Sequence, residues 1–313
     1  MPLDAIHQKS LARSIRLNIP IMNISALEEI TSPAPGVRLF IKRDDLLHPE
    51  IQGNKWRKLR PVIQNMGTVK TGILSFGGPF SNHLHALASA GKVYGFPTIG
   101  IVRGISADLN NHTLAFAQQC GMQLFPVTKV AYESLKTATI QVVFEHIGYS
   151  PTEPYQLLPE GGDTVEALVS CSAIPVEIME QLPNDAGAPL YFCVPAGTGC
   201  TAAGVIAGDR GQVLVFPAAP YGVDREVILG KIWRAGFEQD VDFEIVVGEG
   251  KFAQMSEELL EFVREFEQKT GIMLDPIYTA KMMQKLYALM EEGFFPEGSC
   301  VVAVHTGGLQ GWG

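Results

Sequence analysis

Ser75-Phe76-Gly77-Gly78-Pro79-Phe80-Ser81-Asn82-His83 reads as a buried strand, a glycine turn and the start of a helix. Residues 72–76 are mostly apolar, and residues 81–91 are rich in alanine and leucine. The alternation continues outward in both directions. Residues 37–42, 97–102, 190–194 and 300–304 read as further short strands. Residues 55–65, 111–120, 201–207 and 257–269 read as helices, the first interrupted by Pro61 and the last with Leu259, Leu260, Val263 and Phe266 on one face. Apolar strands alternating with helices predict parallel sheets covered on both faces. The expected class is α/β, with mostly parallel sheets.

The 313 residues suffice for one large domain or two ordinary ones. Apolar residues make up 46% and charged residues 18%, the balance of a soluble globular enzyme. The formal charge is -9 and no basic block stands out, so nucleic acid is not an expected partner. Cys120, Cys171, Cys193, Cys200 and Cys300 form no Cys-x-x-Cys pair, which fits reduced thiols rather than disulfides or a metal site. No N-terminal run suits a signal peptide. The longest uncharged stretch, 186–208, contains Pro189, Pro195 and five glycines, so strand, loop and helix is a better reading than a membrane span. A cytoplasmic protein is expected.

Four groups of residues carry candidate chemistry. Lys55 follows Gly53-Asn54 where a loop enters a helix. The positive end of the helix dipole disfavours an ammonium there, and a lysine that loses its proton becomes a nucleophile for an aldehyde. Lys58 lies one turn on and is its rival, whereas Lys42, beside Arg43, Asp44 and Asp45, suits a structural ion pair. Ser81 and Asn82 cap helices well, but Ser81 can also shuttle a proton and Asn82 can bond a phenolic oxygen. His83 reads as a packed or capping side chain beside them.

Gly197-Thr198-Gly199-Cys200-Thr201 follows an apolar strand and opens a helix, which makes an anion nest. The same stretch matches a dinucleotide fingerprint in form, but the next strand ends in Pro217-Ala218-Ala219 with no acid for a ribose. Tyr278 follows a proline turn, and Thr306 lies at the carboxyl end of the last strand, where a hydroxyl can face a ligand. A lysine for an aldehyde, an amide for a ring and a nest for a phosphate together point to pyridoxal 5′-phosphate.

Lys-Arg-Asp-Asp at 42–45, Gly-Asn-Lys at 53–55, Ser-Asn-His at 81–83, Pro-Glu-Gly-Gly at 159–162, Gly-Thr-Gly-x-Thr at 197–201, Asp-Pro-x-Tyr at 275–278 and His-Thr-Gly-Gly at 305–308 occur in one order. In that order the chain resembles the 1-aminocyclopropane-1-carboxylate deaminase and D-cysteine desulfhydrase family, which shares the tryptophan synthase β-subunit fold (fold type II of the pyridoxal-phosphate enzymes). The resemblance implies two open, twisted, mostly parallel sheets covered by helices, a large domain, 1–58 with 161–313, and a small α/β domain, 59–160, with the cofactor between them.

It further implies that Lys55 carries the cofactor, that Ser81, His83 and Phe252 lie near the substrate, and that Ser81 and Tyr278 act beside Lys55 in catalysis. Asn82, Thr306 and Gly197 to Thr201 would hold the cofactor's ring and phosphate. Two departures separate this chain from the deaminases. Thr279 stands where they carry glutamate, with Thr306 in place of a leucine. Phe252 stands where both branches carry tyrosine. The implied reaction is α,β-elimination from a small amino acid to a 2-oxo acid and ammonia, as in desulfhydration of D-cysteine. Cyclopropane ring opening is the alternative, and binding with little turnover a further one. A homodimer is expected.

Overall fold

The computed structural model describes residues 24–66, 71–208, 210–220, 222–237, 241–248 and 254–312. Its strands in chain order are β1 (Leu27–Ile30), β2 (Arg38–Lys42), β3 (Gly72–Gly77), β4 (Thr98–Arg103), β5 (Gln123–Val127), β6 (Tyr155–Leu157), β7 (Leu190–Ala196), β8 (Gln212–Pro217), β9 (Phe243–Ile245) and β10 (Cys300–Val304). One sheet has the order β1-β2-β10-β7-β8-β9 and the other β5-β4-β3-β6. Every pairing is parallel except β1 with β2.

Parallel strands need both faces covered, and alternate residues show how this is met. On the six-stranded sheet, Phe192, Val194 and Val302 enter one apolar cluster with the helices Val165–Cys171 and Cys200–Ala207. Tyr191, Cys193 and Val301 enter another with the helices Glu257–Thr270 and Thr279–Glu291. The four-stranded sheet repeats the scheme, with Ile73 and Val102 in one cluster and Leu74, Phe76, Ile99 and Ile101 in the other. No helix among the described residues is long and apolar enough to cross a membrane.

The expected strands and helices are present, with one correction. The helix Asn54–Asn65 runs through Pro61 without the expected interruption. A mid-helix proline costs about 3 kcal/mol through its missing N–H and its ring. Trp56, Leu59 and Pro61 are all buried on this helix, so packing against the rest of the protein holds it continuous. All five cysteines are free thiols. Lys42 is fully buried and structural, as expected, but its acidic partner is the distant Glu177 at 3.2 Å. It also donates to the Ser25 carbonyl at 2.7 Å.

Candidate active site

The carboxyl ends of the parallel strands open into one cavity of about 710 Å³. In open α/β sheets that is where ligands bind. β3 and β4 deliver Gly78 and Arg103 to it, β7 delivers Gly197, β8 delivers Ala218, and β10 delivers Thr306. The tertiary fold gathers those strand ends around Lys55.

Lys55 is the second residue of the helix Asn54–Asn65. Gly53 turns the chain into that helix at φ 61°, ψ -139°, a conformation for glycine. A β-carbon on Gly53 would lie 1.8 Å from the Thr306 carbonyl oxygen, and that oxygen accepts from Asn54 N at 3.1 Å. The end of β10 is thus locked to the lysine helix. Burial lowers the Lys55 ammonium to a pKa of about 7, with the Lys58 charge adding to it and Asp275 among the groups opposing it. The helix-dipole reasoning gave the right direction, but desolvation is the larger cause. Lys58, the rival amine, is also buried and lines the cavity, but its Nζ donates to the Gly161 carbonyl at 3.1 Å.

The nest is built as its glycines require. Gly199 has φ 84°, and a β-carbon there would meet Val223 Cγ2 at 2.8 Å. The helix Cys200–Ala207 begins immediately after it, so its first amides have no partner within the helix. Thr201 Oγ1 accepts from Asn54 Nδ2 at 3.0 Å, which ties the nest to the lysine helix and leaves the hydroxyl proton to donate. Gly161, at φ 72°, lets the Pro-Glu-Gly-Gly loop close on Thr198, whose Cγ2 lies 2.9 Å from where a β-carbon would stand. Cys200 is buried within the nest, and burial raises its thiol pKa.

Ser81 caps the helix Asn82–Tyr94 by accepting from Leu84 N at 3.2 Å, and its hydroxyl proton remains to donate into the cavity. Asn82 Oδ1 accepts from Gln310 Nε2 at 2.8 Å, which fixes the amide so that Nδ2 faces Gly308. His83 is tied to Ser75. Ser75 Oγ donates to the Leu158 carbonyl at 2.8 Å, so His83 Nε2 is the donor in its own 2.8 Å contact with that oxygen. Burial, then the Lys55 and Lys58 charges, pushes His83 far below the usual imidazole range. His83 is therefore neutral and packed, and it lines the cavity.

Tyr278 stands at the start of the helix Thr279–Glu291 with its ring against Gly197. A β-carbon on Gly197 would lie 3.1 Å from Tyr278 Cε1. Asp275 sets this corner by accepting from the backbone of Tyr278 at 2.9 Å and of Thr279 at 2.6 Å. The Thr279 hydroxyl accepts from Asp275 N at 2.7 Å, so it serves the turn and does not reach the cavity lining. Burial, with Asp275 and Glu160 nearby, raises the Tyr278 phenol above its ordinary range. Phe252 lies outside the described residues.

The donor set fits a phosphorylated pyridine aldehyde. It provides an amine held near neutrality, a glycine-threonine nest for an anion, and fixed amide and hydroxyl groups between them. A family model described as pyridoxal-phosphate dependent enzyme matches residues 17–307. The chain belongs to this family. Its cofactor is pyridoxal 5′-phosphate.

Among similar proteins, the mitochondrial bifunctional D-cysteine desulfhydrase/1-aminocyclopropane-1-carboxylate deaminase of Arabidopsis thaliana is 29% identical, over 88% of this chain and 73% of that protein. The D-cysteine desulfhydrase of Klebsiella pneumoniae is 25% identical, over 90% of this chain and 93% of that one. A solved homologue of 1-aminocyclopropane-1-carboxylate deaminase matches the fold with a TM-score of 0.77 at 22% identity, covering 96% of this chain and 95% of that one. The two-sheet α/β architecture is that of fold type II within the family.

Sequence reasoning quoted Asn54 but assigned it nothing, and it missed Gln310 and Asp275 as supports. Asn54 was marked by its place in Gly-Asn-Lys. Gln310 carries no local signal, because its partner Asn82 is brought to it only by the fold.

Proposed function

We propose that this enzyme eliminates a β-substituent from a small amino acid and releases a 2-oxo acid and ammonia, in the manner of the D-cysteine desulfhydrase relatives. One observation carries the reading. Lys55, the glycine-threonine nest and Tyr278 share one cavity, and their surroundings drive the amine and the phenol in opposite directions.

Lys55 would hold the cofactor's aldehyde carbon, Gly197 to Thr201 its phosphate with Lys58 as counter-charge, Asn82 its phenolic oxygen and Thr306 its ring nitrogen. The bound cofactor supplies an electron-withdrawing ring that acidifies the substrate Cα–H. Ser81 Oγ donates to the substrate carboxylate, and the amides opening the helix Asn82–Tyr94 reinforce it. Lys55 Nζ, with a pKa of about 7, accepts the Cα proton when its amine is free. Tyr278 Oη keeps its proton at neutral pH and delivers it to the departing β-substituent. Thr306 is a neutral hydroxyl, which suits early departure of a leaving group better than ring opening. The chain divides for this purpose into 1–58 with 161–313 and 59–160, and we expect a homodimer.

The test is product release from D-cysteine, β-chloro-D-alanine, D- and L-serine and 1-aminocyclopropane-1-carboxylate. Ammonia and 2-oxo acid should form from at least one β-substituted amino acid, and Lys55→Ala should abolish both that release and the visible absorption of the lysine-linked cofactor. Ring opening without elimination would replace this reading with the deaminase one. A bound cofactor with no turnover of any of these, or of a β-substituted amino dicarboxylate such as 3-hydroxyaspartate, would reduce the protein to a binder.

A further inference from the structure

Arg103 is unused by the chemistry above. It is the last residue of β4 and it lines the same cavity as Lys55. The register sets Gly77 beside Val102, so Gly78 and Arg103 leave their strands side by side. A β-carbon on Gly78 would lie 3.4 Å from Arg103 Nη2, and Arg103 itself is solvent-exposed where it lines the cavity. One residue earlier, a β-carbon on Gly77 would lie 2.5 Å from Ser81 Oγ. The guanidinium and the Ser81 hydroxyl therefore both lie at the carboxyl end of β3 and line the same cavity.

No carboxylate among the described residues pairs with Arg103. It lies over the ring of the buried Tyr132, 5.7 Å from Cζ, which steadies the plane without neutralising the charge. The cationic side chains among the described lining residues are Lys55, Lys58 and Arg103, and the acidic one is Glu160. Glu160 is engaged by Lys136 at 3.3 Å. His85, also in the lining, is held near a pKa of 4 by burial and His112 and adds no charge at neutral pH. With Lys55 and Lys58 given to the cofactor, one cation is left over in the cavity that holds the group for the substrate carboxylate.

We propose that Arg103 receives a second carboxylate, on the substrate side chain, so that the preferred substrate is a β-substituted amino dicarboxylate. This rests on the elimination site described above and names its substrate class. A guanidinium fork matches a carboxylate in a bidentate pair, which makes it selective for charge and shape together. Ser81 would take the α-carboxylate and Arg103 the distal one.

The experiment is calorimetric titration of the holoenzyme with D- and L-aspartate and with D- and L-asparagine, which match in size and differ in charge. Aspartate of one hand should bind roughly ten- to a hundredfold more tightly than the matching asparagine, as expected for a hydrogen-bonded charge pair. Arg103→Met should erase that ratio, and Arg103→Lys should keep part of it. Equal binding of the two ligands, binding of neither, or a ratio that survives in Arg103→Met overturns the proposal. So does an equal loss for both ligands in Arg103→Met, which would assign the guanidinium to the α-carboxylate. Because binding is read without turnover, a failure here is separate from a failure of the elimination reading, which product release decides.

Discussion

Replacing Gly53 by alanine probes the joint between the cofactor lysine and the end of β10. The added β-carbon would stand 1.8 Å from the Thr306 carbonyl oxygen and 2.2 Å from its carbonyl carbon. A tolerable carbon–oxygen contact is about 3.3 Å, so the two segments must part by roughly 1.5 Å. That movement breaks the 3.1 Å bond from Asn54 N to the same oxygen, a loss of about 1–3 kcal/mol for a buried acceptor. The backbone at φ 61°, ψ -139° adds about 1–3 kcal/mol for any residue with a β-carbon.

Gly95 provides the control. It ends the helix Asn82–Tyr94 at φ 70°, ψ 46°, and a β-carbon there meets nothing within 4 Å. Gly95→Ala should cost only the left-handed strain of roughly 1–2 kcal/mol. Urea unfolding of both variants, followed by circular dichroism and by cofactor absorbance, measures the difference. Gly53→Ala should be the less stable by about 2 kcal/mol or more and should lose cofactor before the rest of the fold melts. Equal midpoints with full cofactor retention would show that the contact is soft and that Lys55 is positioned by something else.

Lys55 makes the stability of cofactor-free protein depend on pH. Its folded pKa of about 7 lies below its ordinary 10.5, so between those values the unfolded chain holds a proton that the folded chain has released. Stability should therefore rise with pH across that window, by up to about 1.4 kcal/mol per unit from this group, and Lys55→Met should remove that part of the slope. Denaturation of the stripped protein between pH 7 and about 10 checks it, and parallel slopes would refute it. A separate test concerns the support beneath the lysine helix. Arg57 on that helix donates to Asp44 at 2.6 Å and to Glu177 at 2.7 Å, with all three largely buried. Asp44→Ala leaves a buried guanidinium short of a partner and should cost about 3–5 kcal/mol, read as a lowered thermal midpoint. A midpoint within a degree or two of wild type would mean that Glu177 alone satisfies the charge.

Periodicity and turn chemistry lie along the chain and can be read from it. The apolar strands, the Ser81 cap, the glycine-threonine nest before residue 201 and the lysine at a helix mouth were all visible, because each depends on neighbours in sequence. Proline at 61 misled, since the local penalty is outweighed by burial that only the folded protein supplies. The depressed amine was inferred from the helix end, yet its main cause is the removal of water around Lys55, which no local pattern encodes.

Pairings across the fold were equally hidden. Asn54 meets Thr201, Gln310 meets Asn82 and Glu177 meets Arg57 because segments from distant parts of the chain end at one place. The sequence by itself determined which groups this enzyme carries and the class of sheet that bears them. Only the tertiary structure decided which strand ends converge, and hence which charges lose their water and which remain open to a ligand.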